Sequence, residues 1–273
     1  DLEKRVLRAV GDPEARLAED HLRALRAVRL SAKLSFAIDS ATRAAITRHA
    51  RDLAGVSRER IGDEVRAMMS HPSRAVAMTT LGELQLDAPV LSEPHRTAPP
   101  RILARLGPEA SFGACLSAWA LDRGLEVGTT DTQLLVSRWR SALCLSNEER
   151  TSLSNILQTI PTIERKWGDL GVAARKRLAS SNAFSDALDL VSVRNSGFAE
   201  RVLEDVASLH ATSTGLSPSP LVTGDDLIGL GLSPGPEFKV LLDALYDAQL
   251  EARIVSREDG LRLAMELAGP RGV

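Results

Sequence analysis

The sequence predicts an all-α fold, on three observations. Apolar residues recur at helical period along nearly the whole chain. Convincing period-two runs and two-residue hairpin signals between apolar runs do not occur. Helix start and stop signals cut the chain into segments of ordinary helix length.

The first residues, from Asp1, read as helix. Asp12 with Pro13 then opens a helix expected to run, with a break near Ala18, to about Leu34. Its apolar positions Leu22, Leu25, Val28 and Ala32 mark a core face. Asp39 or Ser40 caps a helix to Gly55, Ser57 caps one ending at His71 and Pro72, and Ser73 begins one that dies away by Leu86. Residues 89–100 hold four prolines in twelve positions and are expected to be a loop. Helices are expected near 110–123, 130–143 and 147–158, the last with a capping box of Ser146 and Glu149, and then near 170–179, 182–194 and 197–210. A Pro/Ser/Thr/Gly stretch from Ala211 to Gly224 precedes a terminal helix pair over 225–266, divided by the turn Gly231 to Pro236. Trp119, Trp139 and Trp167 are expected to anchor cores.

The 273 residues suffice for two or more packed units with a sizeable core. A hydrophobic content of 44% and a net charge of -2 exclude a disordered chain and a polycation that holds nucleic acid by total charge. No apolar run approaches the roughly 20 residues needed to cross a bilayer, and no secretory leader opens the chain, so no membrane partner and a cytoplasmic location are expected. Cys115 and Cys144 have no Cys or His neighbour at ligand spacing and read as buried thiols. The five histidines include no pair at ligand spacing with a carboxylate, so no metal site is expected from this chain. Basic residues comprise 5 Lys and 29 Arg, a supply of forked donors for phosphates and base edges. Over residues 1–60 they number 13 against 9 acidic residues, which makes this segment the first candidate to meet an anion.

Gly11 to Leu30 is the most informative stretch. On a helix Asp20 and Arg23 would share a face three residues apart over the small Ala24 and Ala27, setting a carboxylate beside a guanidinium. Spacing alone equally describes a surface ion pair, with Glu19 to Arg23 as a second. The run Glu19-Asp20-His21-Leu22-Arg23-Ala24-Leu25-Arg26-Ala27-Val28-Arg29 resembles the E-D-x-x-R-x-x-R-A-x-R-F motif of class II tRNA nucleotidyltransferases, the CCA-adding enzymes and bacterial poly(A) polymerases. It follows a G-D-P-x-x-R approach at Gly11, Asp12, Pro13 and Arg16, and Leu30 replaces the usual Phe. Glu59-Arg60-Ile61 through Glu64 resembles the family's E-R-I-x-x-E, while Leu145 to Arg150, Thr223 to Leu227 and Gly231 to Pro236 resemble its C-terminal region.

The resemblance implies an elongated all-α chain with a base-recognising, RNA-binding neck at 1–70, a helical body at 71–146 and a tRNA-binding tail at 147–273. It implies that Asp20 and Arg23 choose the incoming nucleotide, with Glu19, Arg26, Glu59, Arg60 and Glu64 in support. Cytosine and adenine each show an amino donor beside a ring-nitrogen acceptor, matching a carboxylate beside a guanidinium. Uracil and guanine reverse that order and would leave both protein groups unpaired. The implied substrates are CTP and ATP, and the implied partner is a tRNA or other RNA 3′ end. Its Mg2+ would be bound by an N-terminal head whose G-G-x-x-R-D and D-x-D motifs are absent from these residues, so this chain alone is expected to be inactive. Candidate RNA contacts are Arg165, Lys166, Arg175, Lys176 and Arg177, and the turn at Gly231 and Gly235. Alternatives are a poly(A) polymerase, or a non-catalytic helical RNA-binding or scaffold protein.

Overall fold

A computed structural model describes residues 1–268 and contains fifteen α-helices there. They are α1 (Pro13–Glu19), α2 (Arg23–Leu34), α3 (Ser40–Arg48), α4 (Arg58–Met69), α5 (Arg74–Glu83), α6 (Asp87–Leu91), α7 (Phe112–Asp122) and α8 (Thr130–Ala142). There follow α9 (Asn147–Lys166), α10 (Val172–Ala179), α11 (Phe184–Arg194), α12 (Ser196–His210), α13 (Gly224–Gly229), α14 (Pro236–Leu250) and α15 (Arg257–Ala268). Short 3-10 turns cover Ala50–Gly55, Leu103–Arg105 and Trp167–Asp169. The all-α expectation holds apart from one parallel pair of two-residue strands, β1 (Val6–Leu7) on β2 (Ala37–Ile38). The opening residues are thus turn and strand rather than helix.

Residues Asp1–Thr162 with Asp186–Asn195 form one compact unit, and Ile163–Ser185 with the chain from Ser196 onward form a second. In the first, α2 packs on α1, α4 and α5, while α4 also packs on α7 and α8. The α2 stripe Ala24, Leu25, Val28 and Ala32 is buried as its spacing requires, against a core that includes Ile46, Ile61, Val65, Leu81 and Trp139. Local chemistry sets the element ends. Asp12 accepts from the Glu14 and Ala15 amides to start α1, Ser57 from Arg60 to start α4, and Ser35 at φ 54° stops α2. Ser146 and Glu149 form their capping box reciprocally at 3.1 and 2.8 Å.

Several expected boundaries move, among them the end of the helix expected to reach Gly55, which stops at Arg48 before the 3-10 turn. Helix α6 runs through Pro89, whose missing N–H falls in the first turn, where a helix has no use for it. Helix α9 continues through Pro161 to Lys166, because Ile160 and Ile163 are fully buried and their burial outweighs one lost backbone hydrogen bond. The terminal region is three helices rather than a pair, since Ala252 at φ 57° ends α14 before α15 begins. Cys115 is buried, but Cys144 is exposed at φ 48°, which corrects its reading as a buried thiol.

In the second unit α10 packs on α12 and α14, and α13 and α14 pack on α15 around Val222, Leu227, Leu245 and Ala264. The Pro/Ser stretch before α13 is tied to α14, where Gln249 accepts from Leu221 at 2.9 Å and donates to the Ser219 carbonyl at 2.8 Å. Among the described residues no helix is long and apolar enough to cross a membrane.

Two outcomes test this packing. A Cβ at Gly62 would run into the Leu143 carbonyl oxygen, so Gly62→Ala should lose about 1–3 kcal/mol in urea unfolding through overpacking. Hydrogen bonds from Arg257 and then from the Thr223 amide and hydroxyl lower the Asp226 pKa from 3.8 to about 2. The folded value is depressed, so this contribution is present above pH 3.8 and is lost as pH falls through about 2. Carboxyl NMR titration should show the midpoint near 2, and Arg257→Gln should move it back toward 3.8.

Candidate functional site

The residues of the Glu19 to Arg29 motif do not lie on one helix. Helix α1 ends at Glu19, Asp20 is extended at φ -155° and ψ 101°, and α2 begins at Arg23. Asp20 and Arg23 therefore flank a break instead of sharing a continuous face, joined by a backbone bond of 3.0 Å from the Arg23 N–H to the Asp20 carbonyl. Ala24, expected as an open floor beside them, is buried in the core.

Each side chain is held by its own partner. One Asp20 carboxylate oxygen accepts from the Leu22 amide at 3.1 Å, and both accept from Arg60 at 3.2 and 3.0 Å. Burial pushes the Asp20 carboxyl up, but the Leu22 amide and the Arg60 guanidinium together outweigh it and hold the pKa below the usual carboxylate value. Arg23 donates through one terminal nitrogen to Glu19 at 2.6 Å and to the Arg16 carbonyl. Glu19 also accepts from Arg16 at 2.6 Å, and the Arg23 hydrogen bond holds its carboxyl below the ordinary value. A guanidinium has five N–H donors and a carboxylate about four acceptor positions, so each group retains capacity for a further hydrogen bond.

Helix α4 braces α2. The buried Glu64 accepts from Arg26 at 3.3 Å and from Arg29 at 2.7 Å. Glu59, in the first turn of α4, is exposed and joins no ion pair among the described residues. A cavity of about 190 Å³ lies against this arrangement, lined by Arg16, Leu17, Arg23, Arg26, Ala27 and Leu30 among others. The Leu30 that stands in place of a Phe is one wall of it.

The basic cluster is dispersed by its contacts. Lys176 is buried, donates to Thr212, Thr214 and the Leu250 carbonyl at 2.7, 2.6 and 3.0 Å, and is pushed to lower pKa by burial. Arg177 lies over Tyr246 at 4.9 Å and pairs with Asp247 and Asp243. Arg175 lies over Trp167 at 5.8 Å and donates to the Trp167 and Gly168 carbonyls. Arg165 and Lys166 alone among the five are exposed with no carboxylate partner among the described residues. In the turn, Gly231 needs its φ of 75°, whereas Gly235 is extended and begins α14 without a side-chain cap.

The structure also assembles groups the sequence reading passed over. His21, His49 and Asp52 each bring one ligand-type atom within 4.8 Å of the others. The three-residue interval from His49 to Asp52 was the available signal, and His21 reaches them only through the fold.

Residues 35–96 match the family described as "Probable RNA and SrmB- binding site of polymerase A". The chain is 29% identical over 276 residues to a CCA-adding enzyme of Levilactobacillus brevis, covering 97% of this chain and 64% of that protein. It is 28% identical over 316 residues to a CC-adding tRNA nucleotidyltransferase of Thermus thermophilus, covering 99% and 71%. In fold it resembles a crystal structure of the Bacillus stearothermophilus CCA-adding enzyme in complex with CTP, at a TM-score of 0.76 and 24% identity over 98% of this chain and 66% of that one. In fold and motifs the chain is similar to the helical portion of these nucleotidyltransferases. The chain is similar to class II CCA-adding enzymes and spans about three-fifths of the length of the curated relatives it matches.

Glu64→Ala should cost about 1–3 kcal/mol in urea unfolding, because it leaves two guanidiniums without their carboxylate, whereas Glu59→Ala should stay within about 0.5 kcal/mol.

Proposed function

We propose that this chain supplies base selection and tRNA binding to a template-independent, cytoplasmic nucleotidyltransferase that adds CMP and AMP to the tRNA 3′ end from CTP and ATP. One observation carries the reading. Arg60 holds Asp20 and Glu19 holds Arg23 on the two sides of the α1–α2 break, each with hydrogen-bonding capacity to spare. A carboxylate acceptor and a guanidinium donor, both engaged by one base, would match the amino and ring-nitrogen edges of cytosine and adenine. Uracil or guanine would set acceptor against carboxylate and donor against guanidinium, an unpaired arrangement costing several kcal/mol. Residues 1–70 then act as the neck, 71–146 as the body and 147–273 as the tail. Arg165, Lys166 and the turn at Gly231 to Gly235 are offered to RNA phosphates.

The residues around this site do not fit Mg2+. The negative charge of Asp20 is already paired with Arg60 and that of Glu64 with Arg26 and Arg29, which leaves no uncompensated carboxylate to draw a divalent cation. Phosphoryl transfer is therefore assigned to a head domain of the kind the family motifs describe, and no step of it to these side chains. The family description over residues 35–96 favours poly(A) synthesis as the second reading, with AMP alone as the added unit.

The experiment uses a protein in which this chain is joined to a head domain. Incorporation from each of the four triphosphates onto tRNA lacking its terminal nucleotides should favour CTP and ATP. Asp20→Ala and Arg23→Ala should each reduce that preference over UTP and GTP by about 10²-fold with RNA binding nearly intact. Unchanged preference in both variants refutes the base-reading role, and incorporation of AMP without CMP selects the second reading.

A further inference from the structure

The break between α1 and α2 carries a second cluster, on the residue between the two base-reading positions. His21 lies in the break, His49 caps the C-terminus of α3, and Asp52 follows on the 3-10 turn Ala50–Gly55. The two imidazole rings stack with centroids 6.0 Å apart and planes 28° from parallel. Each His49 ring nitrogen meets a carboxylate, Nδ1 with Asp52 at 2.6 Å and Nε2 with Glu14 at 2.8 Å. Glu14 is in turn engaged by Arg48. The His21 Nδ1 atom is buried and has no hydrogen-bond partner. A buried ring nitrogen without a partner is unfavourable, and such a group in a folded protein calls for an explanation.

We propose that His21, His49 and Asp52 form a divalent metal site of zinc type, structural in role, that ties the α1–α2 break to the end of α3. Two imidazole nitrogens and one carboxylate oxygen are a zinc-type donor set, whereas Mg2+ takes oxygen donors and keeps most of its water. Ligands about 2.0–2.2 Å from a tetrahedral ion stand roughly 3.4 Å apart, so His49 Nδ1 and Asp52 must open from 2.6 Å while the atoms now separated by up to 4.8 Å draw in, both by side-chain rotation. Binding through His49 Nδ1 releases its proton to solvent and turns Asp52 from hydrogen-bond acceptor into ligand. Glu14 stays on Nε2 as the carboxylate that orients the ring, and water completes the tetrahedron. The bond between His21 and the ion fixes the residue adjoining Asp20.

The test needs neither nucleotide nor RNA, so its failure leaves the base-selection reading standing. The chelator-treated chain is titrated with ZnCl2, CoCl2 and MgCl2 by calorimetry, absorption and thermal unfolding. One equivalent of Zn2+ should bind and raise Tm, Co2+ should give the intense visible bands of a tetrahedral site, and Mg2+ should do neither. His21→Asn and Asp52→Asn should each weaken Zn2+ by at least about 10-fold, and Glu14→Gln by less than either. Far-UV circular dichroism checks that the variants fold. X-ray absorption of the Zn2+ complex of the unaltered chain gives a readout that needs no variant, with two imidazole ligands expected. Absence of Zn2+ binding, affinity unchanged in the His21→Asn and Asp52→Asn double variant, or an all-oxygen shell overturns the proposal.

Discussion

The candidate site depends on one buried carboxylate. Glu64 is 9% exposed, and a charge so placed costs several kcal/mol unless cations reach it. Arg26 and Arg29, three apart on α2, supply two, so α2 cannot slide or rotate against α4 without stranding the charge. Arg60 lies one turn before Glu64 on the same face of α4 and is directed to Asp20. One face of α4 thus offers a cation and an anion four residues apart, and the N-terminal end of α2, with the break before it, answers with the opposite signs. The register that satisfies Glu64 is also the register that places Arg60 on Asp20.

The break gives Asp20 and Arg23 separate partners. Extended backbone at Asp20 sends neighbouring side chains to opposite sides, so Glu19 turns to Arg16 and Arg23 while Asp20 turns to Arg60. On an unbroken helix Asp20 and Arg23 would be neighbours at a spacing that favours their own ion pair. Separate partners prevent that mutual neutralisation and leave one a usable acceptor and the other a usable donor. The local loss of helix is what keeps the carboxylate and the guanidinium available to a third party.

The helix starts were legible because they rest on local chemistry. Asp12, Ser57 and the Ser146–Glu149 box act within four residues of themselves, and the Leu25 and Val28 stripe needs only periodicity. Features that depend on distant partners were not. The two-residue strands exist through bonds between Val6–Leu7 and Ala37–Ile38, too short to leave a pattern. Lys176 looks like one of five basic surface residues, and only Thr212, Thr214 and Leu250, 36 to 74 positions away, make it a buried cross-link. The sequence predicts a break near Ala18, but it falls at Asp20 to Leu22, between the two motif residues, so Asp20 and Arg23 do not share the helical face that their spacing suggests.

The same distinction settles what the arginine excess means. Arginine's fork suits phosphates, but it equally suits the carbonyls that helix ends and loops leave without partners. Arg58 donates to the Pro89 carbonyl, Arg74 to those of Leu106 and Gly107, Arg96 to Arg123, and Arg105 to Val193. Arg66 is clamped on Glu149, and Arg123 is buried against Asp87 and Glu93. Many guanidiniums are therefore internal fastenings, consistent with a net charge of only -2 on an Arg-rich chain. Counterion release depends on the cations that reach phosphates, not on the total present. For a chain of this kind, exposed and uncommitted groups such as Arg165 and Lys166, rather than the 29 arginines as a class, are the cations open to a polyanion.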